Sequence, residues 1–154
     1  MKSTKVHFGN KIRVRACGLC FKNEAILLVK HNIDNEILWA PPGGGINFGE
    51  TIEYTLRREF KEETGLEVKP GKFLFLTEFI NAPLHAIELF YKIDKFSGKI
   101  AIGKDPELPD RAIILDIGFF NKQQLNQIPQ NHLHSILNNC NNPIELLDRQ
   151  EQLK

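Results

Sequence analysis

Three glutamates, Glu59, Glu62 and Glu63, follow Arg58 at relative positions i, i+3 and i+4, and a run of glycines, Gly43-Gly44-Gly45, lies upstream on the same segment. On a helix those three carboxylates share a face. A charge run on a helix is ordinarily a solvated face, and the helical wheel tests that reading. At about 100° per residue with Ile52 at zero, Leu56 and Phe60 fall at roughly 40° and 80° and mark the apolar stripe. Glu63 and Glu59 fall at roughly 20° and −20°, Glu62 at roughly −80° and Lys61 at roughly 180°. Two carboxylates therefore point toward the core and the third borders it. Inward charge is costly unless compensated. Arg58 can reach Glu62 at i+4, but one guanidinium leaves net negative charge, and a divalent cation is the natural remainder. Oxygen ligands select hard ions, Mg²⁺ first and Mn²⁺ next, over Zn²⁺, which prefers His and Cys. The glycines offer backbone that a phosphate or metal can approach closely. Together these features point to phosphate chemistry in which carboxylates hold a metal and activate water.

The elements that must position these groups are legible in outline. Lys11 to Cys17 alternates polar and apolar as a half-buried strand, with Ala25 to Val29 expected as its hairpin partner. Pro41-Pro42-Gly43-Gly44-Gly45 is expected to lack regular structure. The period turns helical from Thr51, a candidate N-cap, to Thr64, with Gly65 as the stop. Strands are expected at Phe73 to Ile80, Ala86 to Ile93, Lys99 to Ile102 and Ala112 to Phe119, and two short helices at Phe120 to Gln127 and Asn131 to Asn139. This order implies an α/β fold with a mixed sheet packed between helices. One domain is expected over 1–154, with residues 1–10 and 149–154 as loose termini.

Bulk composition excludes more than it assigns. Twenty basic against 19 acidic residues, a net charge of +1, lacks the excess that an extended nucleic-acid face shows. No apolar run reaches the roughly 20 residues of a membrane span, and the N-terminus lacks a secretory pattern. Three cysteines fit a reducing compartment, so a cytoplasmic location is expected. The distribution of charge matters more than its sum: Glu50, Glu53, Glu59, Glu62 and Glu63 all fall within residues 44–66.

That segment has Gly44, then Glu50, then Arg58-Glu59-Phe60-Lys61-Glu62-Glu63-Thr64-Gly65-Leu66. It resembles the Nudix box, a Gly, a Glu six residues on, then Arg-Glu-apolar-x-Glu-Glu-x-Gly-apolar. Every position is filled, and chance would produce this on the order of 10⁻⁷ of the time at ordinary residue usage. Phe60 stands where Val, Leu or Ile is more usual, and Thr55-Leu56 where many members have small residues. The resemblance implies an α/β/α sandwich and a Mg²⁺-dependent hydrolase of nucleoside diphosphates linked to a second group. It implies Glu59 and Glu63 as principal metal ligands, Glu62 as ligand or proton acceptor, and the backbone of Gly43 or Gly44 as completing the metal shell. Arg58 would orient Glu59, and Glu50 would pair with Arg58. The general base is a box glutamate in some members and a late-loop carboxylate in others; Asp105, Glu107 and Asp110 lie on such a loop, with Glu107 or Asp110 preferred. The family often pairs through its sheets or termini, so a homodimer is left open.

Other residues are weighed beside the box. Gly44, Gly45, Arg13 and Arg15 are candidate substrate contacts, the two arginines sharing a strand face. An exposed strand face would explain the arginines equally well. Cys17 and Cys20 have CxxC spacing, yet an odd separation on a strand sends the thiols to opposite faces, and core thiols are expected. His132 and His134 diverge on the expected helix and are read as surface residues. Trp39, Phe48, Phe79 and Phe90 are core aromatics or base-stacking partners. ADP-ribose-cleaving members have a proline about fifteen residues past the box, and Pro83 stands near that place. The expected substrate is a small nucleotide, a nucleotide sugar with ADP-ribose first. The alternatives are a housecleaning triphosphate pyrophosphatase and a non-catalytic sensor of nucleotide sugars, the latter disfavoured by a complete box.

Overall fold

The computed structural model describes residues 9–103 and 113–149. The expected loop acids Asp105, Glu107 and Asp110, and most of the two expected loose termini, lie outside the described residues. The strands are β1 (Lys11–Leu19), β2 (Phe21–Lys22), β3 (Ala25–Ile33), β4 (Glu36–Ala40), β5 (Gly43–Gly45), β6 (Glu67–Asn81), β7 (Leu84–Ser97) and β8 (Ile113–Phe120). The helices are α1 (Ile52–Thr64) and the short α2 (Lys122–Leu125), followed by 3-10 turns at Gln130–His132, Ser135–Leu137 and Pro143–Asp148.

The strands form two sheets, one ordered β5-β1-β7-β6 and one in which β3 pairs with β2, β4 and β8. The first is mixed, because β1 runs parallel to β7 while β5 and β6 run antiparallel to their neighbours. The expected hairpin between Lys11–Cys17 and Ala25–Val29 does not form. β1 is satisfied on both edges by β5 and β7, and β3 by strands of the other sheet. The glycine run is likewise not irregular: it is β5, with Cys17 opposite Gly43, Ala16 opposite Gly44 and Arg15 opposite Gly45. A β-carbon on Gly43 would run into the Ala16 carbonyl oxygen, so the absence of side chains is what admits the pairing.

Two apolar clusters occupy the two faces of the strands, as period-2 alternation requires. Ile26 and Leu28 join Cys17, Leu19, Trp39, Phe75 and Phe90 under the C-terminal turns, with Leu125, Ile136, Leu137 and Leu146 closing that side. Leu27 joins Cys20, Phe60, Leu66, Val68 and Ile93 on the side of α1. The two thiols thus lie in different clusters, both buried. Helical elements on each side of the strands give the α/β/α sandwich. Gly18 makes room for α1, since a β-carbon there would stand 2.5 Å from the Phe60 ring. Full burial of a side chain such as Phe60 is worth about 1.5–3 kcal/mol.

Helix α1 has the expected ends. Thr51 Oγ1 accepts from the Tyr54 N–H at 3.1 Å, and Gly65 adopts φ 78°, its N–H returning to the Lys61 carbonyl. Lys99–Ile102 forms no strand; the N–H groups of Ala101 and Gly103 instead satisfy the last carbonyls of α1, at Thr64 and Glu63. The two expected C-terminal helices are also shorter than the pattern suggested. Asn121 and Gln124 form a capping box that starts α2, but the segment stops before Pro129 and continues as 3-10 turns. Pro129 lacks the N–H a continuing helix needs, and the Asn142 side chain competes for backbone N–H groups nearby.

Candidate active site

The inward-facing carboxylates of α1 are where the wheel puts them. Glu59 and Glu63 are buried, at 0% and 1% exposure, while the Glu62 side chain keeps 27% of its surface in solvent. Arg58 sits at the centre of the cluster. Its Nε and Nη2 donate to Glu50 Oε2 and Oε1 at 2.8 and 2.9 Å, a two-pronged contact, and Nη2 also donates to the Gly45 carbonyl at 3.1 Å. Its Nη1 donates to Glu59 Oε1 at 2.8 Å and Glu62 Oε2 at 3.3 Å. A planar guanidinium can bind several oxygens at once in this way, where an ammonium could not hold the same geometry. Glu50 is further tied by the Asn47 N–H and the Thr55 hydroxyl, each at 3.0 Å. The Arg58 hydrogen bond above all, against the opposing pull of partial burial, holds the Glu50 carboxyl down to about 2.

The glycine strand β5 supplies the other wall. Gly44 lies against Glu59 so closely that a β-carbon there would collide with the carboxylate. The Gly43 N–H donates to Glu63 Oε1 at 2.8 Å, and Glu63 Oε2 lies 3.7 Å from His31 Nε2. Burial, aided by the nearby charge of Arg15, lowers His31 to about 4, so that it is neutral at pH 7 and makes no ion pair with Glu63. The site therefore brings together Gly43, Gly44, Gly45, Glu50, Arg58, Glu59, Glu62 and Glu63 from one continuous stretch of chain. Among the described residues no three Asp, Glu, His or Cys side chains are already arranged to hold a metal ion. The donor chemistry nevertheless fits a hard divalent cation. Carboxylate oxygens of Glu59 and Glu63 lie beside a backbone cradle without side chains, and hard oxygen donors of this kind would suit such an ion.

Arg13 and Arg15 share a face of β1, each half-buried. Arg15 does not simply face solvent: its Nη1 donates to Glu88 Oε2 at 2.6 Å, and its Nη2 reaches the Gly43 carbonyl at 3.5 Å. Glu88 on β7 is 4% exposed, and the sequence does not mark it, because a lone carboxylate in an apolar strand has no local pattern. Its signal was its parity, two residues from both Ala86 and Phe90 on a strand otherwise read as core. His134, expected at the surface, is a correction: its Nε2 lies 2.8 Å from Glu88 Oε1. Its Nδ1 accepts from the Ile136 N–H at 3.2 Å, so Nε2 has the proton and donates to Glu88. Burial pushes Glu88 up, but the His134 hydrogen bond and the Arg15 charge outweigh it and hold the carboxyl at about 2. Of the four candidate stacking aromatics, Trp39 and Phe90 are core, whereas Phe48 and Phe79 are exposed.

The NUDIX domain family matches residues 11–136. An ADP-ribose pyrophosphatase of Methanocaldococcus jannaschii is 34% identical over 57% of this chain and 54% of its own length. A nucleoside triphosphatase NudI of Enterobacter sp. (strain 638) is 44% identical over 40% of this chain and 49% of its own. The chain thus spans about half the length of these curated relatives. The crystal structure of a MutT protein from Methanosarcina mazei Go1 has the same fold, with TM-score 0.70 at 16% identity over 90% of this chain and 94% of that one. With the box at the junction of β5 and α1 and the family match running across both sheets, the chain belongs to the Nudix family.

Proposed function

We propose that this chain hydrolyses the pyrophosphate bond of a nucleoside diphosphate joined to a second group, with Mg²⁺ as cofactor and Mn²⁺ as a substitute. The observation that supports the reading best is the Arg58-centred cluster, in which three carboxylates converge beside a glycine strand that has no side chains to obstruct a phosphate. Glu59, Glu63 and the Gly43 carbonyl are the groups we assign to the cation, with Glu62 as ligand or proton acceptor. When bound, such a cation polarises phosphoryl oxygens and makes a bound water more acidic. Arg58 keeps the Glu59 carboxylate oriented and offsets the charge of the cluster, while Glu50 fixes Arg58. Glu62, the most exposed of the three, is the box residue best suited to take a proton from attacking water. Glu107 and Asp110 stand as the alternative bases. Arg13, Arg15, Gly44 and Gly45 are the proposed contacts to substrate phosphates.

A nucleotide sugar, ADP-ribose first, is the favoured substrate, in keeping with the name of the Methanocaldococcus relative. A nucleoside triphosphate is the second reading, favoured by the resemblance to NudI. The three cysteines are free thiols, which accords with action in the cytoplasm, and no described helix is long and apolar enough to cross a membrane. The test is a panel of ADP-ribose, UDP- and GDP-sugars, dinucleoside polyphosphates and nucleoside triphosphates with Mg²⁺, read by phosphate and nucleotide release. Cleavage of sugar nucleotides over triphosphates is expected. Activity confined to triphosphates removes the sugar reading, and tight binding without turnover of any member removes the enzymatic one.

A further inference from the structure

Arg15 stands between the Glu88 carboxylate and the Gly43 carbonyl. Its 2.6 Å contact to Glu88 is short and charge-assisted, whereas its 3.5 Å contact to the Gly43 carbonyl lies at the limit of hydrogen bonding. Glu63, which accepts from the Gly43 N–H, and Glu59, which lies against Gly44, are acidic groups of the same wall and attract the guanidinium at longer range. Glu88 is anchored from behind by His134 at 2.8 Å and by the Thr77 hydroxyl at 3.4 Å. His134 is fixed in turn, its N–H donating to the Trp39 carbonyl at 2.9 Å and its Nδ1 accepting from Ile136. A guanidinium and a divalent cation compete for the same oxygen lone pairs. Whatever holds Arg15 off Gly43, Glu59 and Glu63 therefore raises the affinity of those groups for a cation.

On the reading of Gly43, Glu59 and Glu63 as cation-holding groups, we propose that Glu88 is a positioning residue that draws Arg15 away from them and keeps their oxygens open to a divalent ion. His134 and the 3-10 segment bearing it form the back of this clamp and link the C-terminal part of the chain to the site. Mn²⁺ binding to the metal-free chain tests this, measured by the electron paramagnetic resonance signal of free Mn²⁺, with folding checked by circular dichroism. Glu88→Gln is expected to weaken binding about tenfold, because Arg15 then turns to the Gly43 carbonyl. Glu88→Asp, which keeps the charge, should recover most of the loss. The double variant Arg15→Met with Glu88→Gln removes both competitor and anchor and should return to within about threefold of the unsubstituted protein. If Glu88→Gln does not fold, Thr77→Val and His134→Gln, which loosen Glu88 without removing it, should each weaken Mn²⁺ binding about threefold. Equal affinity in the unsubstituted protein and folded Glu88→Gln overturns the proposal and leaves the metal site standing, as does a double variant that fails to recover. Binding that is unaffected by Glu59→Gln and Glu63→Gln overturns the metal site itself, and the clamp with it.

Discussion

Replacing Arg58 by Gln removes a group that touches Glu50, Glu59 and Glu62 together. The Arg58 side chain is 16% exposed and Glu59 is wholly buried, so the carboxylates left behind are poorly solvated. Removing one partner of a buried pair costs about 3–5 kcal/mol, and the partial exposure of Glu50 and Glu62 puts this case near about 3 kcal/mol. For a domain of this length that corresponds to a fall in Tm of about 6–12 °C. A divalent cation would supply the missing positive charge, so the deficit should be largest in EDTA and should narrow with Mg²⁺ in excess. Arg58→Lys keeps the charge without the planar fork and should lose about half as much. Urea unfolding at pH 7 in EDTA and in Mg²⁺, followed through the single tryptophan, Trp39, which is 7% exposed, measures the loss in both conditions, and thermal melting measures the fall in Tm. A loss below about 1 kcal/mol in EDTA, or a deficit that Mg²⁺ does not narrow, refutes the claim that Arg58 compensates a cation-binding cluster.

Gly44→Ala places a methyl group against the Glu59 carboxylate and should lower turnover at least about a hundredfold while the chain still folds; near-normal kcat would show that Glu59 is free to shift. Gly18→Ala crowds the Phe60 ring and should cost about 1–3 kcal/mol by thermal melting, a packing effect away from the site that leaves KM unchanged in the folded fraction. Glu88 lies at about 2 instead of the ordinary 4.5, so the stability it supplies is complete above pH 4.5 and is lost as pH falls toward 2. That loss is on the order of 3 kcal/mol. Glu50, depressed to the same value, acts over the same window. Urea midpoints from pH 2 to 6 should therefore fall less steeply in Glu88→Gln; identical slopes would count against a charged, bonded Glu88.

What could be read in advance was local. The caps Thr51 and Gly65, the apolar stripe of Leu56 and Phe60, and the inward turn of Glu59 and Glu63 all follow from helical spacing within fourteen or so neighbouring positions. The box lies on contiguous chain, so the resemblance also implies the backbone of Gly43 or Gly44 beside its carboxylates, though not the strand pairing that puts it there. Strand partnership could not, because β1 pairs with β7 far along the chain and the alternation of Lys11 to Cys17 says nothing about which edge is taken. The glycines misled for a physical reason: residues that break a strand elsewhere are the ones that fit where backbone must approach Ala16 and Glu59. Glu88 and His134 lie 46 positions apart and meet only through tertiary packing, so neither had a neighbour in sequence to reveal it.

The most direct test of the central claim is the hydrolysis of ADP-ribose in ¹⁸O-water with Mg²⁺, comparing the unsubstituted chain with Glu62→Gln and with EDTA. The predicted result is AMP and ribose 5-phosphate, one of them bearing the label, from the unsubstituted chain with Mg²⁺. EDTA should abolish it, and Glu62→Gln should lower kcat about a hundredfold or more with its melting temperature preserved. Cleavage that persists in EDTA, or at full rate in Glu62→Gln, would contradict a mechanism resting on a metal and the box carboxylates.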